Sequence, residues 1–217
     1  MQRDRVGWRY EHKEERRFLE IGCRASPEQI EGHLSQFAGC AQKILVEEGL
    51  EGLNSNAIVE RAGLTASAFY RYFGDKHAML AALGRNLMNA QNAVLETALA
   101  DVAELPGALV DQTRALLWRT LKVTEAFEGG YALMVSLRAI PALRSIRLES
   151  HSHVARIMAE RYLEANPHIP RDEAYDRCRL ANEIGYACVE MLLETDECDR
   201  ARVVDRTAKA IDAVLFG

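Results

Sequence analysis

Residues 54–76, which read NSNAIVERAGLTASAFYRYFGDK, constrain the fold more than any other stretch of the chain. Asn54 or Ser55 is typical of a helix N-cap, because a short polar side chain can accept a hydrogen bond from the free N–H groups of the first turn. Gly63 follows the last apolar residue of this helix, where a chain often needs a positive φ angle. Thr65 can cap a second helix. The stretch therefore predicts two short helices joined by a glycine-bearing turn.

Two short helices with a turn of this length are typical of a DNA-reading helix-turn-helix, whose second helix lies in the major groove. The N-terminal end of that helix approaches base edges, where small side chains allow close contact and hydroxyl or methyl groups can read bases. We therefore expect Thr65, Ala66 and Ser67 to face the bases. Arg71 and Lys76 follow at positions where the DNA backbone is expected to pass.

The same stretch carries a family resemblance. Over roughly 37–84 the sequence resembles the N-terminal domain of the tetracycline-repressor (TetR) family of bacterial regulators. The residues that carry it are Gly49, Ile58, Ala62, Gly63, Leu64, Tyr70, Phe73, Lys76, Leu80 and Leu83. The resemblance implies that Tyr70, Tyr72 and Lys76 contact phosphates, whereas Phe73 is expected in the core beside Phe69. The DNA-contacting residues predicted in this way are Ser55, Thr65, Ala66, Ser67, Tyr70, Arg71, Tyr72 and Lys76.

Net charge gives no support to DNA binding. The chain has a formal net charge of −5, and within residues 28–85 five basic residues stand against seven acidic ones. Free N–H groups at helix N-termini can still bind phosphates without net positive charge. We therefore expect a modest salt dependence, because few cationic side chains are available to neutralise phosphates.

The first 26 residues form an extension ahead of the predicted reading head. They include seven basic residues: Arg3, Arg5, Arg9, Lys13, Arg16, Arg17 and Arg24. One interpretation is a frayed or partly helical extension. The other is a basic arm that reaches into the minor groove of DNA.

The rest of the chain is predicted to be helical throughout, with no convincing strand pattern. Apolar residues recur at helical spacing, and the predicted helices cover residues 27–48, 76–99, 107–127, 131–139, 141–165, 171–194 and 200–216. Gly39 lies inside the first of these and suggests a close packing contact there. We expect an all-α protein of about nine core helices. Its predicted parts are an extension (1–26), a helix-turn-helix domain (27–76) and a helical ligand-binding and dimerisation domain (77–217).

The last two long helices carry stripes of small and apolar residues. One stripe is Ala174, Cys178, Ala181, Gly185, Cys188 and Leu192, and the final helix adds Val204, Ala208, Ile211 and Leu215. A helix that is apolar on two faces packs against two neighbours. Both neighbours can belong to the same chain, or the stripes can form a four-helix interface between two copies, which the resemblance favours. A two-fold dimer would suit two half-sites on DNA.

The middle helices are expected to enclose a ligand pocket. Pockets are mostly apolar with a few placed polar groups, and the polar, aromatic or flexible residues at these positions are Trp118, Met134, Arg138, His151 and Tyr186. His153 is a further candidate, although His151 and His153 do not share a helix face and make a poor metal pair.

No sequence motif indicates an enzyme, a metal site or a cofactor, because the chain has no phosphate-binding loop, H-E-x-x-H or G-x-S-x-G. Five scattered cysteines and the absence of a long apolar run or signal peptide suit a cytoplasmic protein without membrane association. The resemblance implies a dimeric repressor that binds a palindromic operator and is released by a small molecule. The alternatives are a nucleoid or cell-division factor that binds DNA without an inducer, and a helical enzyme or metal protein with an unrecognised site.

Overall fold

The computed structural model of the protein describes residues 26–101 and 109–217, and this part of the chain contains helices and no strand. The all-α fold class is thus confirmed. The ten α-helices are α1 (Pro27–Glu47), α2 (Gly49–Gly52), α3 (Ser55–Ala62), α4 (Ala66–Tyr72), α5 (Lys76–Asp101), α6 (Leu109–Ala126), α7 (Gly130–Ala139), α8 (Arg144–Ala165), α9 (Arg171–Glu194) and α10 (Arg200–Phe216). The predicted N-terminal arm, residues 1–25 of the extension, lies outside the described residues.

The observed helix bounds differ from the predicted ones in two places. The one-turn helix α2 was missed, since Gly49 and Gly52 are poor helix formers and the segment is only four residues long. Pro141 does not start α8 but opens a 3₁₀ turn, Pro141–Leu143, that precedes it.

The chain divides into two compact units. The first unit consists of the described residues up to Leu87 together with Phe127–Leu143. The second unit consists of Met88–Ala126 and Arg144–Gly217. The predicted domain boundary between residues 76 and 77 differs from this division, which assigns residues 77–87 and α7 to the first unit.

Side-chain caps fix the helix starts of the first unit. Ser26 and Gln29 form a reciprocal capping box at the start of α1, with hydrogen bonds of 3.3 and 3.0 Å. Asn54 rather than Ser55 caps α3, and its Oδ1 atom accepts a hydrogen bond from the Ala57 N–H group at 2.9 Å. Thr65 caps α4, as its sequence position predicted, by accepting from the Ala68 N–H group. Each such cap stabilises a helix by about 1 kcal/mol.

A cluster of phenylalanine side chains forms the core of the first unit. Phe37 of α1 is fully buried and meets Phe69 edge to face, with ring centroids 5.4 Å apart. Phe73 completes the cluster, 6.2 Å from Phe37 and 5.5 Å from Phe69. Edge-to-face aromatic pairs add about 0.5–1.5 kcal/mol beyond the area they bury. The prediction that Phe69 and Phe73 are core residues is confirmed, and the cluster fixes α4 against α1.

The helix α7 is held against the N-terminal helices of its unit. Gln42 donates a hydrogen bond from Nε2 to the carbonyl oxygen of Glu128 at 3.0 Å, just ahead of α7. Gly84 of α5 lies so close to Leu137 of α7 that an added Cβ would sit 2.7 Å from a Leu137 methyl carbon. By contrast, a Cβ at Gly39 would meet nothing within 4 Å. The predicted close contact at Gly39 is therefore wrong, and the close approach of two helices occurs at Gly84.

The core of the second unit lies where α9 packs against α6, α8 and α10. Its buried residues are Ala159, Tyr162, Ala174, Cys178, Ala181, Ile211 and Leu215. The Tyr162 hydroxyl donates a hydrogen bond to the carbonyl oxygen of Leu215 at 2.7 Å, and Arg177 Nη1 donates to the same oxygen at 2.8 Å. Since the last carbonyls of a helix have no donor within the helix, these two side chains satisfy the end of α10.

Candidate nucleic-acid interface and ligand cavity

The turn of the helix-turn-helix is set by a single glycine. Gly63 has φ 61° and ψ 24°, the left-handed conformation that glycine adopts without the steric penalty of a Cβ. On either side of the turn, the buried residues Ile58 and Phe69 anchor α3 and α4 to the core. The orientation of α4 thus depends on the turn and on buried contacts, which leaves its outer face available.

The side chains predicted to read DNA lie on that outer face. Thr65, Ala66 and Ser67, at the N-terminal end of α4, are all exposed. Tyr70 and Arg71, one turn further along, are also exposed, and Tyr70 retains 51% of its accessible surface. A tyrosine so exposed on a seven-residue helix contributes little to the core, which is consistent with a binding role. Ser55, the first residue of α3, is half-buried.

Two of the predicted phosphate contacts have partners within the protein. The Tyr72 hydroxyl lies 3.2 Å from His33 Nδ1 on α1, and Tyr72 is half-buried. Lys76 Nζ donates a hydrogen bond to the carbonyl oxygen of Leu53 at 3.4 Å. These contacts hold both side chains in position beside the helix-turn-helix.

The positive charge near the helix-turn-helix is smaller than the sequence count indicates. Arg61 forms ion pairs with Glu47 at 2.6 Å and with Glu48 at 3.4 Å, at the junction of α1 and α3. Hydrogen bonding to Glu47 raises the pKa of the Arg61 guanidinium still further. Arg61 is therefore compensated locally and adds little to the attraction of phosphates.

The second unit contains a cavity of about 540 Å³. Its wall is mainly aliphatic, formed by side chains such as Leu95, Leu117, Val154, Met158, Val189 and Ile211. The cavity lies within the range of volumes of small-molecule sites, roughly 300–1,000 Å³. A mostly apolar wall interrupted by a few polar groups is also typical of such sites.

Apart from Arg161 and Glu164, the polar groups of the cavity wall are neutral amides and hydroxyls. Gln91 donates a hydrogen bond from Nε2 to Thr124 Oγ1 at 2.7 Å, and Asn92 Oδ1 accepts one from Ser150 Oγ at 3.0 Å. Asn182 differs, because its Nδ2 atom is shielded from solvent and no described residue accepts a hydrogen bond from it. A buried donor without an acceptor costs about 1–3 kcal/mol. Asn182 therefore presents an unused hydrogen-bond donor in the wall of the cavity.

One of the five predicted ligand residues lines this cavity. Tyr186 contributes to the wall, and burial raises the pKa of its hydroxyl, which stays protonated and shares a hydrogen bond with Ser150. Trp118 and His151 belong to the second unit but are not part of the wall. Met134 and Arg138 lie on α7 in the first unit and are not among the residues that line the cavity.

Sequence reasoning missed the amides of the wall. The signal that could have found Asn182 is its spacing, since Asn182 and Tyr186 lie four residues apart and therefore on one face of α9. Asn92 on α5 gave no comparable signal.

A buried polar cluster supports the cavity wall from behind. The His151 ring, only 1% exposed, stacks on the Tyr186 ring with centroids 4.0 Å apart. His151 Nδ1 lies 2.9 Å from Glu183 Oε1, and the same oxygen is paired with Arg147 at 3.5 Å and with Arg179. Burial lowers the pKa of His151, although the hydrogen bond to Glu183 opposes this. His153, by contrast, is an exposed residue that pairs with Glu96 at 3.3 Å.

The described cysteines are free thiols, and three of them are shielded from ionisation. Burial raises the pKa of Cys178 to about 11 and also raises the pKa of Cys40 and of Cys188. The reactive form of cysteine is the thiolate. Because Cys178 lines the cavity as a neutral thiol, it behaves there as a small apolar side chain.

The two stripes of small and apolar residues on α9 and α10 are buried within the single chain. The prediction that they form the surface between two copies is therefore corrected. All but one of these residues are buried in the single chain: Ala174, Cys178, Ala181, Cys188, Leu192, Val204, Ala208, Ile211 and Leu215. The exception, Gly185, lines the cavity, and a Cβ added there would meet Leu117 and Ile211 of the same unit. The stripes fill the core because α9 packs against three helices of its own unit.

A different face of α9 remains open. Leu180 is 52% exposed and Met191 is 40% exposed, although both are large apolar side chains. Ile184 is half-buried and Ala187 is exposed between them. The four residues are spaced by four, three and four positions and therefore form one stripe along the helix. We refer to Leu180, Ile184, Ala187 and Met191 as the outer stripe of α9.

The described residues, 26–101 and 109–217, lack two other kinds of site. In this part of the chain, no group of three or more His, Cys, Asp or Glu side chains is arranged to hold a metal ion. Of the helices it contains, none combines the length and apolar character needed to cross a bilayer.

Comparisons with known proteins agree with this geometry. Residues 41–83 match the family model of bacterial regulatory proteins of the tetR family. The uncharacterized HTH-type transcriptional regulator YvdT of Bacillus subtilis (strain 168) is 32% identical over 62 residues, which are 29% of this chain and 32% of that relative. The match to this relative therefore spans about a third of its length.

Solved structures share the fold over most of the chain. A regulator from Syntrophomonas wolfei str. Goettingen, assigned to the TetR family, has a TM-score of 0.66 at 11% identity and covers 86% of this chain and 96% of its own. The multidrug binding protein EbrR, solved with imidazole, has a TM-score of 0.61 at 14% identity, with 87% and 96% covered. Residues 41–83 thus match the tetR family of bacterial regulatory proteins, and the fold over most of the chain is that of these solved structures.

Proposed function

We propose that the protein is a ligand-responsive transcriptional regulator, a repressor that binds a palindromic operator as a dimer and is released by a small molecule. The observation that carries the proposal is the exposed N-terminal end of α4 within a helix-turn-helix that matches the family model. A buried aromatic cluster holds this helix from the inside, so its outer face can enter a major groove without disturbing the core.

In the proposed complex, the outer face of α4 reads the bases. Thr65 and Ser67 offer hydroxyl groups and Ala66 offers a methyl group, which suits contacts to base edges and to thymine methyl groups. Tyr70 and Arg71 follow on the same exposed helix and contact the phosphates on either side of the groove.

Tyr72, Lys76 and Ser55 complete the proposed phosphate contacts. The hydrogen bonds of Tyr72 with His33 and of Lys76 with Leu53 orient the two side chains before DNA binds. Each carries further hydrogen-bonding capacity, since a hydroxyl can donate and accept and an ammonium group has three donors. Preoriented groups lose less conformational entropy on binding.

The dimer is proposed to form through the outer stripe of α9. Large apolar side chains exposed along one helix face are typical of an interaction surface, and a two-fold dimer buries the same stripe from both copies. Two copies would present two reading heads, which matches the two half-sites of a palindrome.

The effector is proposed to bind in the cavity of the second unit. EbrR, which shares the fold, is by its name a multidrug binding protein. A ligand acts on DNA binding only as far as its affinities for the DNA-binding and released conformations differ. The cavity favours this mechanism over a nucleoid or cell-division factor without an inducer, because such a factor has no need of a site for a small molecule.

An enzymatic role finds no support in the composition of the cavity wall. Two titratable groups of the wall, the Tyr186 hydroxyl and the Cys178 thiol, are kept neutral by burial, which raises the pKa of each. Regulators of this family are generally not enzymes, and we propose the same for this chain.

Binding to the DNA upstream of the protein's own gene, measured by fluorescence anisotropy at two salt concentrations, tests the proposed function. We expect saturable binding to a near-palindromic site and weaker binding to a scrambled fragment. Lys76→Ala should weaken binding to all sequences about equally and reduce the salt slope by about one, as the loss of one phosphate contact does. Lys122→Ala is the matched control, because Lys122 is an exposed lysine on α6 of the second unit.

Base readout requires a separate test. Selection from a random DNA library should give a changed preferred site for Ser67→Ala but an unchanged one for Tyr70→Phe, since only the first alters a proposed base contact. An identical preferred site for Ser67→Ala would contradict the proposed docking of α4. If the unchanged protein shows no sequence preference at either salt concentration, the proposed function itself is wrong.

A further inference from the structure

The cavity of the second unit also indicates the chemical class of its ligand, an inference that rests on the proposed role of the cavity as the effector site. Among the described residues of the wall, Arg161 and Glu164 are the charged ones, and they form an ion pair with each other on α8. Their side chains are 45% and 63% exposed, so the pair faces solvent. The enclosed part of the wall therefore provides no uncompensated charge for an ionic ligand.

A buried ion without a countercharge is strongly disfavoured. Glu183, Arg147 and Arg179 are charged groups of the same unit, but they lie outside the wall, and both guanidinium groups are paired with the Glu183 carboxylate. A carboxylate, phosphate or ammonium group placed among the aliphatic side chains would thus lose its hydration without gaining a partner. An uncharged ligand avoids this cost.

The hydrogen-bonding groups of the cavity wall restrict the chemical class of the ligand further. Gln91, Asn92 and Asn166 use their side-chain amides in contacts within the protein. The Asn182 Nδ2 donor is the exception, because it is shielded from solvent and no described residue accepts its hydrogen. Asn182 shares the cavity-facing side of α9 with Cys178 and Tyr186, four residues away on either side. A ligand with an acceptor oxygen at this point would satisfy a buried donor that is otherwise unused.

Covalent capture of a ligand is disfavoured at Cys178. Burial raises the pKa of this thiol to about 11, and the thiolate is the nucleophilic form. Binding in the cavity is therefore reversible.

We propose that the cavity binds an uncharged, mainly apolar molecule whose carbonyl or ether oxygen accepts a hydrogen bond from the side-chain amide of Asn182. The apolar body of the ligand replaces water against the aliphatic wall, and the single acceptor fixes its orientation along α9. Selectivity against acids and amines follows from the lack of a countercharge in the enclosed wall.

The experiment compares three probes of matched chain length on the purified full-length protein by isothermal titration calorimetry. The probes are 2-decanone, sodium decanoate and decylammonium chloride, which contain ten carbon atoms each and differ in the charge of the polar group. We expect the ketone to bind most tightly. Tighter binding of the acid or the amine, or no measurable binding of the ketone up to its solubility, would overturn the proposal.

Variants at Asn182 test the hydrogen bond. Asn182→Leu should weaken ketone binding by about three- to tenfold, the usual effect of one hydrogen bond. Asn182→Asp, which offers acceptors and a negative charge in nearly the same shape, should weaken it more and should bind decylammonium better than the ketone. Asn56→Asp, an exposed site in the first unit, adds the same charge and should leave the affinity unchanged. Equal ketone affinity in Asn182→Leu and the unchanged protein would refute the role of Asn182.

The ranking of the three probes on the unchanged protein does not depend on how well any variant folds, and circular dichroism melts identify variants that fail to fold. The DNA-binding assay separates this inference from the proposed function. If the ketone binds through Asn182 but does not release DNA, the ligand class stands and the effector role fails. If an acid or amine binds more tightly and releases DNA, the proposed function stands and the ligand class is wrong.

Discussion

Removal of the Tyr162 hydroxyl is a direct test of how α10 is held to the second unit. Tyr162 donates a hydrogen bond to the carbonyl oxygen of Leu215 at 2.7 Å, and Arg177 donates to the same oxygen at 2.8 Å. In Tyr162→Phe the ring stays packed and Arg177 still satisfies the carbonyl. The hydroxyl also accepts a long hydrogen bond from Arg177 Nη1 at 3.4 Å, which adds little, so the expected loss is about 1 kcal/mol. For a chain of this size, that loss lowers the melting temperature by roughly 2–4 °C.

The double variant Tyr162→Phe/Arg177→Leu should be less stable than the two single variants predict by addition. Without both donors, the Leu215 carbonyl is buried and unsatisfied, which costs about 1–3 kcal/mol. The two sites are coupled through this shared acceptor and through the long hydrogen bond of 3.4 Å from Arg177 Nη1 to the Tyr162 hydroxyl, and a double-mutant cycle measures the sum of the two couplings. Chemical unfolding in guanidinium, followed by circular dichroism, gives the four free energies of unfolding, and comparison is valid where the slope with denaturant is unchanged.

Tyr175→Phe is the matched control. Tyr175 lies on the neighbouring helix α9 and is half-buried against the same core, but its hydroxyl has no hydrogen bond to a described residue. Its removal should change stability by less than about 0.5 kcal/mol. If Tyr162→Phe is as mild as Tyr175→Phe, or if the double variant is simply additive, the shared-acceptor explanation is refuted.

Three further predictions concern helix packing, pH and assembly. Gly39→Ala should stabilise the protein by about 1 kcal/mol in thermal unfolding, because it removes a mid-helix glycine without a clash, whereas Gly84→Ala should lack this gain because its Cβ meets α7. Burial lowers the pKa of His151, so the folded protein loses stability relative to the unfolded chain as the pH falls below 6.5, by up to about 1.4 kcal/mol per pH unit, and loses none well above pH 6.5. His151→Gln should therefore make the melting temperature less dependent on pH between pH 6.5 and 5. In light scattering, Leu180→Glu should dissociate the proposed dimer, whereas Ala115→Glu, which adds the same charge at an exposed position of α6, should not. If the Leu180→Glu variant remains a dimer, the interface lies elsewhere.

Local features of the fold were predictable from the sequence because they depend on neighbouring residues. Ser26, Gly63 and Thr65 mark helix ends through capping and through a positive φ angle, and the structure uses each of them in that way. The base-facing end of α4 was predicted from the docking geometry of a helix-turn-helix, and Tyr70 from the family resemblance. The helix-turn-helix was therefore recognisable from the sequence.

Features that depend on which helices pack against each other in the folded chain were not predictable from the sequence. The stripe that contains Cys178 and Cys188 has the same sequence pattern whether its partner is α8 of the same chain or a second copy, so its burial in the core could not be read from periodicity. Likewise, Gly39 and Gly84 are both mid-helix glycines, and only the position of Leu137 decides which one marks a close approach. A pocket among the middle helices was predicted, but four of its five predicted residues lie outside the wall, because that wall combines residues from five helices.

The interleaved order of the two units has a consequence for exchanging parts between regulators. The chain passes from the first unit to the second after Leu87, returns at Phe127 and leaves again after Leu143. A hybrid joined only once, after Leu87, would carry the reading head of one protein and the α7 of another. Its Gly84 would then face a foreign side chain in place of Leu137. Working hybrids of this protein should therefore require three junctions, so that α7 comes from the same protein as the rest of the first unit.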